Sequence, residues 1–302
     1  MNKRYKISRI ILIFWTILIG VTAVMGACMM FFDKMGTSTG MDVLLDGMQV
    51  LPLADILFKN LIFPGIALLL INGIPNLIAT FLLLKKVKGG PILGIVLGIT
   101  LMLWITLQFF IYETNPLSII YFIIGFLELI TGIFCYVGFS QSNFYFNIDD
   151  YQNIGTNNNL LVVYFSRMGY TKKIAYEIAN NTGADILEIK AKERITGNLG
   201  FWWCGRFGMH KWGMPIEEMQ IDFSKYTSVT ICSPIWVFNI CAPIREFCKI
   251  NAGKIKNVNY VVNHFMNCKF EKTKVEMDTL LKTKHNSFRS FSCHYGKAKE
   301  LK

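Results

Sequence analysis

Four apolar runs, at about 10–32, 61–84, 91–112 and 117–139, constrain this chain before any other feature does. Each is long enough to cross roughly 30 Å of hydrocarbon as a helix. Lipid admits only helices or closed barrels, because every backbone N–H and C=O must be paired internally. Residues 1–139 are therefore read as an α-helical membrane bundle of four spans. The rest of the chain differs in kind. Residues 1–140 hold nine Lys/Arg against six Asp/Glu, whereas 141–302 hold twenty-two against fourteen, so +8 of the net +11 lies in the second half. The low charged fraction of 17%, set against about a quarter in soluble domains, comes from the first half.

Cation placement sets the expected orientation. "MNKRYKISR" carries four cations and "KKVK" three, while the other two polar segments hold Asp33, Asp42, Asp46, Asp55 and Glu113. Both termini are expected in the cytoplasm, in a multi-pass protein of the cell membrane. "VMGAC", ending at Cys28, loosely resembles a lipoprotein cleavage site, but the run is long for a signal peptide and is read as a retained span. Few polar residues lie within the spans. Glu128 sits in "GFLELITG", and Asn72 and Asn76 share a helical face across Pro75. An intramembrane carboxyl is a functional candidate by default. Its plainer reading is a neutral Glu128 hydrogen-bonded to another span. All four histidines lie outside the spans, which excludes a haem held between two histidines of the bundle.

Eight cysteines are scattered without a C-x-x-C pair, and several sit inside apolar runs. That pattern argues against a disulfide framework or a zinc site and fits a reducing compartment. No metal and no nucleic acid are expected as ligands.

Residues 140–159, "SQSNFYFNIDDYQNIGTNNN", read as a linker. From 160 to 302 apolar runs alternate with helical patterns. Strands are expected at 160–165, 185–190, 228–233, 258–265 and 287–291, with helices in "TKKIAYEIANN", "CAPIREFCKI" and "EKTKVEMDTLLKTK". Such alternation implies a parallel sheet covered on both sides, whose ligands bind beyond the carboxyl ends of the strands. The first strand runs into "SRMGYT" and then an amphipathic helix. A helix N-terminus presents unpaired N–H groups and partial positive charge, so it binds anions. Gly169 permits a tight turn, and Ser166 and Thr171 offer hydroxyls. A plain strand-to-helix turn with Thr171 as N-cap accounts for the same residues.

A second piece adds weight. "CSPIWVFNICAPIREF" places an apolar strand end, a Pro and a Trp directly ahead of another helix. With "SRMGYT" before it, the chain over about 160–297 resembles the flavodoxin-like family, in its compact flavodoxin-domain branch. "ITGNLGFWWCGRFGMHKWGMPIEE" is similar to that branch's insertion before the third strand. The resemblance implies an α/β domain with a five-stranded parallel sheet of order 2-1-3-4-5 and non-covalent FMN. Ser166, Met168, Gly169, Tyr170 and Thr171 would cradle the phosphate. Pro234, Ile235, Trp236, Val237 and Phe238 would line the isoalloxazine, with Trp236 as its aromatic platform or else a core tryptophan. Asn263, His264 and Phe265 would touch the ring from the loop after the fourth strand. No catalytic side chain is implied, because such proteins tune the flavin through stacking, hydrogen bonds and charge.

Three departures from the family stand out. "NHFMNCKF" replaces a small, Gly-rich loop, and its bulk would narrow the site. "CHYGKAKELK" leaves room for only a stub of the last helix. The domain is basic where soluble flavodoxins tend to be acidic, so an anionic bilayer would attract it. The "FWWCGRFGMHKW" insert would either touch the bilayer interface or pack over the flavin site.

Three functions follow as alternatives. One is a membrane-anchored FMN protein passing electrons from a soluble reductase to a quinone or membrane partner. Another is an FMN- and NAD(P)H-dependent reductase acting on a quinone itself. The last is a flavodoxin-shaped module without cofactor, regulating or docking the bundle.

Overall fold

The computed structural model describes residues 3–301 and divides the chain between Asn143 and Phe144. The first unit holds four helices long and apolar enough to cross a membrane. They are α1 (Lys3–Phe32), a second made of α4 (Ile62–Leu68) and α5 (Ile74–Leu84), α6 (Gly89–Ile111) and α7 (Pro116–Ser142). Two short helices, α2 (Asp42–Met48) and α3 (Ala54–Leu57), fill the connection after α1.

The second span is not one α-helix. Leu69–Gly73 widens into a π-turn between α4 and α5. The cause is Pro75, which lacks an N–H and crowds the carbonyl four residues before it. Asn76 Nδ2 donates to the Asn72 carbonyl at 2.8 Å within this irregular stretch. Thr80 Oγ1 in turn donates to Asn76 O and meets Thr16 Oγ1 at 2.8 Å, which ties α5 to α1. Small residues set the α6–α7 contact: a Cβ at Gly98 would lie 2.5 Å from Leu129 N and 2.8 Å from Gly125 O. Backbones approach this closely only where side chains are missing.

The second unit is a three-layer α/β domain. Its elements are β1 (Asn157–Tyr164), α8 (Tyr170–Thr182), β2 (Ala184–Glu188), α9 (Gly197–Met209), β3 (Ser228–Trp236), β4 (Asn239–Ile240), α10 (Ala242–Ile250), β5 (Val258–His264), α11 (Lys272–Leu281), β6 (Ser287–His294) and β7 (Lys297–Glu300). The sheet runs β2-β1-β3-β5-β6-β7, with β4 paired to β3. Its first five strands are mutually parallel, whereas β4 and β7 are antiparallel additions. Alternate strand residues feed two cores. Leu161, Val163, Ile231 and Tyr260 pack with Ile244 and Phe247 of α10 and with Met277 and Leu281 of α11. Val162, Tyr164, Cys232 and Val261 pack with Ile174, Ala175 and Ala179 of α8.

Three expectations need correction. The sheet has seven strands rather than five. Val237 and Phe238 (φ 46° and 64°) turn β3 back into β4, and Tyr295 and Gly296 (φ 52° and 90°) turn β6 back into β7. Two consecutive left-handed residues make the turn that matches strand twist in a two-residue hairpin. For the same reason the chain after Cys293 returns as a strand and forms no stub of a last helix. The interval 140–159 is also not a free linker. Helix α7 continues to Ser142, Phe146, Tyr151 and Ile154 pack on the α8 core, and β1 begins at Asn157. Its aromatic residues bury surface that a linker would leave in water.

Candidate cofactor site at the carboxyl edge of the sheet

Parallel strands β1, β3, β5 and β6 all end at one edge, and the loops singled out in the sequence leave from there. After β1, Ser166 is half-buried and Met168 exposed. Gly169 then takes φ +87° as the N-cap of α8, a conformation that disfavours any Cβ. Gly169 has no side chain to cap the first-turn N–H groups. Thr171, within that turn, is 2% exposed, and its Oγ1 accepts from Asn263 Nδ2 at 3.0 Å. That bond leaves the Thr171 proton to be donated elsewhere. Asn263, on β5, is also the register partner of Pro234 on β3, so one residue joins the first turn of α8 to two neighbouring strand ends.

Burial, followed by Cys293 and Tyr295 nearby, pushes the Tyr170 phenol up to about 12. At neutral pH it stays an uncharged hydroxyl beside the N-terminus of α8. His264 is buried at the end of β5, and burial holds its imidazole below the ordinary value against the opposing pull of its bond to Met266 O. The tautomer follows from its partners. Met266 O only accepts, at 2.8 Å from Nδ1, so Nδ1 carries the proton and Nε2 accepts from Ser290 Oγ at 2.7 Å.

The loop after β3 departs most from its sequence reading. Trp236 is half-buried, edge-on to Phe165 at 5.5 Å, and packed with Cys204 and Phe207 of α9. A Cβ at Gly208 of α9 would lie 2.9 Å from Trp236 O, so the inserted helix closes directly on this strand end. The open aromatic of the loop is Phe238, 67% exposed and stacked with Phe270 at 6.4 Å. Val237 beside it is β-branched at positive φ, a strain of about 1–3 kcal/mol of the kind that collects at binding sites. Pro234 and Ile235 are half-buried, with Ile235 paired to Ile240.

Phe265 is exposed after β5 and lies 4.2 Å from the His294 ring and 5.5 Å from that of Tyr295. Beyond Tyr295 the rim continues through Phe144, whose ring meets Tyr170 edge-on at 4.8 Å. Phe144, His294 and Tyr295 lie on the rim of this candidate site and were not singled out in the sequence. The only local signal was aromatic density in "NFYF" within a polar stretch. Arg167 turns away from this rim towards the insertion, donating to Ile195 O and Gly197 O at 2.7 Å each and lying over Phe201. Helix α9 shows an apolar outer surface, with Leu199, Phe201 and Trp202 all exposed.

No family model and no curated protein matches the chain. The solved structures it is similar to include flavoproteins and a flavodoxin, WrbA-like protein. A putative flavoprotein from Bacteroides eggerthii is 21% identical, with a TM-score of 0.41, over 46% of this chain and 91% of that one. A flavoprotein from Lactobacillus acidophilus, solved in complex with FMN, is 16% identical, with a TM-score of 0.39, over 44% and 93%. A flavodoxin, WrbA-like protein from Agrobacterium tumefaciens is 13% identical, with a TM-score of 0.28, over 42% and 76%.

Proposed function

We propose that this protein is a membrane-anchored FMN-binding electron carrier, its domain on the cytoplasmic side of the cell membrane and its acceptor a quinone or membrane partner. The observation that carries the reading is the junction of loops at Thr171. There the N-terminus of α8, entered through left-handed Gly169, meets Asn263 of β5, which is itself paired in register with Pro234 of β3. An anion-binding end and an aromatic rim then share one edge, as a flat ring ending in a phosphate monoester requires. The residues fit the group. Backbone N–H groups after Gly169 and the Thr171 hydroxyl would hold the phosphate, with Ser166, Met168 and Tyr170 around it. Phe238 and Phe265 would wall the isoalloxazine, next to Asn263 and His264. Trp236 would support that wall from behind. Bound there, FMN would supply the transfer of electrons.

Titrating flavin-free protein with FMN tests the reading. Thr171→Ala is expected to cost about 1 kcal/mol of affinity, the net value of one hydrogen bond. Phe238→Ala is expected to cost about 1–3 kcal/mol, on the scale of losing an aromatic that stacks on a base, and to shift the flavin potential. Trp236→Ala should lower thermal stability more than either. Folded wild-type protein that binds no FMN at about 100 μM, an affinity limit near −5.5 kcal/mol, would end the carrier reading.

The cofactor-free module would then be preferred, and one observation already favours it. The insertion closes on Trp236, the residue that the family resemblance offers as platform. The orientation has its own test. Reporter fusions after residues 88 and 140 should both report cytoplasm, and an external signal at either would overturn it.

A further inference from the structure

We propose that Phe144 is a positioning residue of the cofactor site. Its ring clamps the phosphate loop to the β6–β7 turn, so the residue directly after the α7 cap sets how firmly the loop holds a phosphate monoester. The inference rests on the FMN reading above and deepens it.

Two glycines reveal the clamp. Gly169 of the phosphate loop and Gly296 of the β6–β7 turn both have left-handed backbones, at φ +87° and +90°. A Cβ at Gly169 would meet Phe144 Cε1 at 2.9 Å and, farther off, Cδ1 at 3.9 Å. A Cβ at Gly296 would meet Phe144 Cε2 at 2.5 Å and Cδ2 closer still. These are opposite edges of one ring. Phe144 is therefore wedged between the two turns, and each glycine is needed both for its φ and for the space it leaves. The Tyr170 ring, on the first residue of α8, closes a third side at 4.8 Å.

The wedge is itself held by the segment that follows it. Two residues later Phe146 stacks on Tyr151 at 5.6 Å and meets Tyr176 of α8 edge-on at 5.0 Å. Farther along, Asn153 is tied twice to Asn180 near the end of α8. The segment thus runs along the helix whose N-terminus would bind the phosphate.

The physical consequence concerns preorganisation. A glycine N-cap has the widest conformational freedom of any residue, and freedom lost on binding subtracts from affinity. A ring packed against its Cα removes that freedom beforehand. The ring touches the Cα sides of the two glycines, whereas an anion would be held by backbone N–H groups. The effect should therefore reach the phosphate end of a ligand and spare its ring.

The test uses the full-length protein in lipid nanodiscs, titrated with FMN and with riboflavin, which carries the same ring without phosphate. Phe144→Ala is expected to weaken FMN about tenfold, the affinity equivalent of an aromatic pair near the top of its range, and riboflavin by less than about twofold. Phe144→Tyr keeps both ring edges and should match wild type for each ligand. Gly296→Ala pushes a methyl group into the ring while leaving the sequence of the phosphate loop intact. It should reproduce the FMN-selective loss even where Phe144→Ala fails to fold. Equal weakening of both flavins in these variants would reduce Phe144 to general packing and overturn the clamp. Unchanged or tighter FMN binding would overturn it as well, the latter marking the ring as an obstruction. If wild type binds riboflavin and FMN equally, the phosphate loop is not a phosphate site and the clamp falls with it. If wild type binds neither, the FMN reading itself has failed, an outcome visible without any variant.

Discussion

Glu128 in the bundle and Arg245 in the α/β domain are both ionisable side chains shut away from solvent, at 0% and 2% exposure. The two halves treat them differently. Arg245, on α10, donates from Nε to Glu276 of α11 at 2.7 Å and from Nη1 to Trp212 O at 3.1 Å, and among the described residues only its Nη2 lacks a partner. Neither carboxyl oxygen of Glu128 has a hydrogen-bond partner among the described residues, and both side-chain amide atoms of Asn72 are likewise unpartnered. A guanidinium cannot shed its charge and must be paired, whereas a carboxyl can be buried as a neutral acid. The glycines divide in the same manner. In the bundle Gly98 is there for contact between backbones, and in the domain Gly169 is there first for a backbone angle and then for the space that Phe144 takes. One residue type thus answers to helix packing in one half and to loop geometry in the other.

The glycine contrast can be broken with two valines. Gly98→Val would drive a branched side chain into Leu129 N and Gly125 O, backbone atoms that cannot rotate aside. The α6–α7 pair would have to separate, at about 3 kcal/mol or more. Thermal unfolding in detergent should show it, and an unchanged midpoint would mean the helices do not meet there. On the proposed FMN reading, Gly169→Val should leave the bundle untouched and weaken FMN binding about hundredfold, through left-handed strain and collision with Phe144. A Gly169→Val protein that binds FMN normally would show that the phosphate is held elsewhere.

The same contrast explains what could be read from the sequence. Long apolar runs and alternating strand–helix patterns are repetitive signals, and the spans, the five parallel strands and helices α8, α10 and α11 follow from them. The site was legible where backbone geometry dictates residue type, as at Gly169 in "SRMGYT". It was illegible where side chains choose their own surroundings. Trp236 had two environments open to it, and packing by α9 placed it among Phe165, Cys204 and Phe207. Val237-Phe238 lacks the Asn-Gly signature of a two-residue hairpin, so β4 gave no local sign. Phe144 lay in a polar stretch whose partners, Gly169 and Gly296, are 25 and 152 positions away in the sequence. Contacts of that range leave no periodic trace.

The next sharpening concerns the buried ions. Glu276→Ala leaves the Arg245 guanidinium in the core with the Trp212 carbonyl as its remaining hydrogen-bond partner among the described residues. Because Glu276 is itself 23% exposed, solvent offsets part of the loss, and a cost of about 2 kcal/mol is expected. Chemical denaturation should resolve it. Replacing both partners, as Arg245→Met with Glu276→Leu, should recover most of that cost, since apolar groups of similar volume need no pairing. A double variant as weak as the single one would mean that Arg245 contributes shape rather than charge.

The smallest effect is expected at Glu128. Glutamine has nearly the same shape and carries no charge, and a carboxyl buried in hydrocarbon is expected to carry none, because ionisation there is expensive. With no partner on either oxygen, there is no specific bond for the substitution to break. Glu128→Gln should therefore leave membrane insertion and thermal stability unchanged within about 0.5 kcal/mol. On the proposed FMN reading, flavin reduction and reoxidation rates should be unchanged too. Normal insertion combined with loss of the proposed electron transfer would instead assign Glu128 a proton or ion to carry. The bundle would then resemble the domain in placing an ionisable group for a purpose, and the contrast drawn between Glu128 and Arg245 would dissolve.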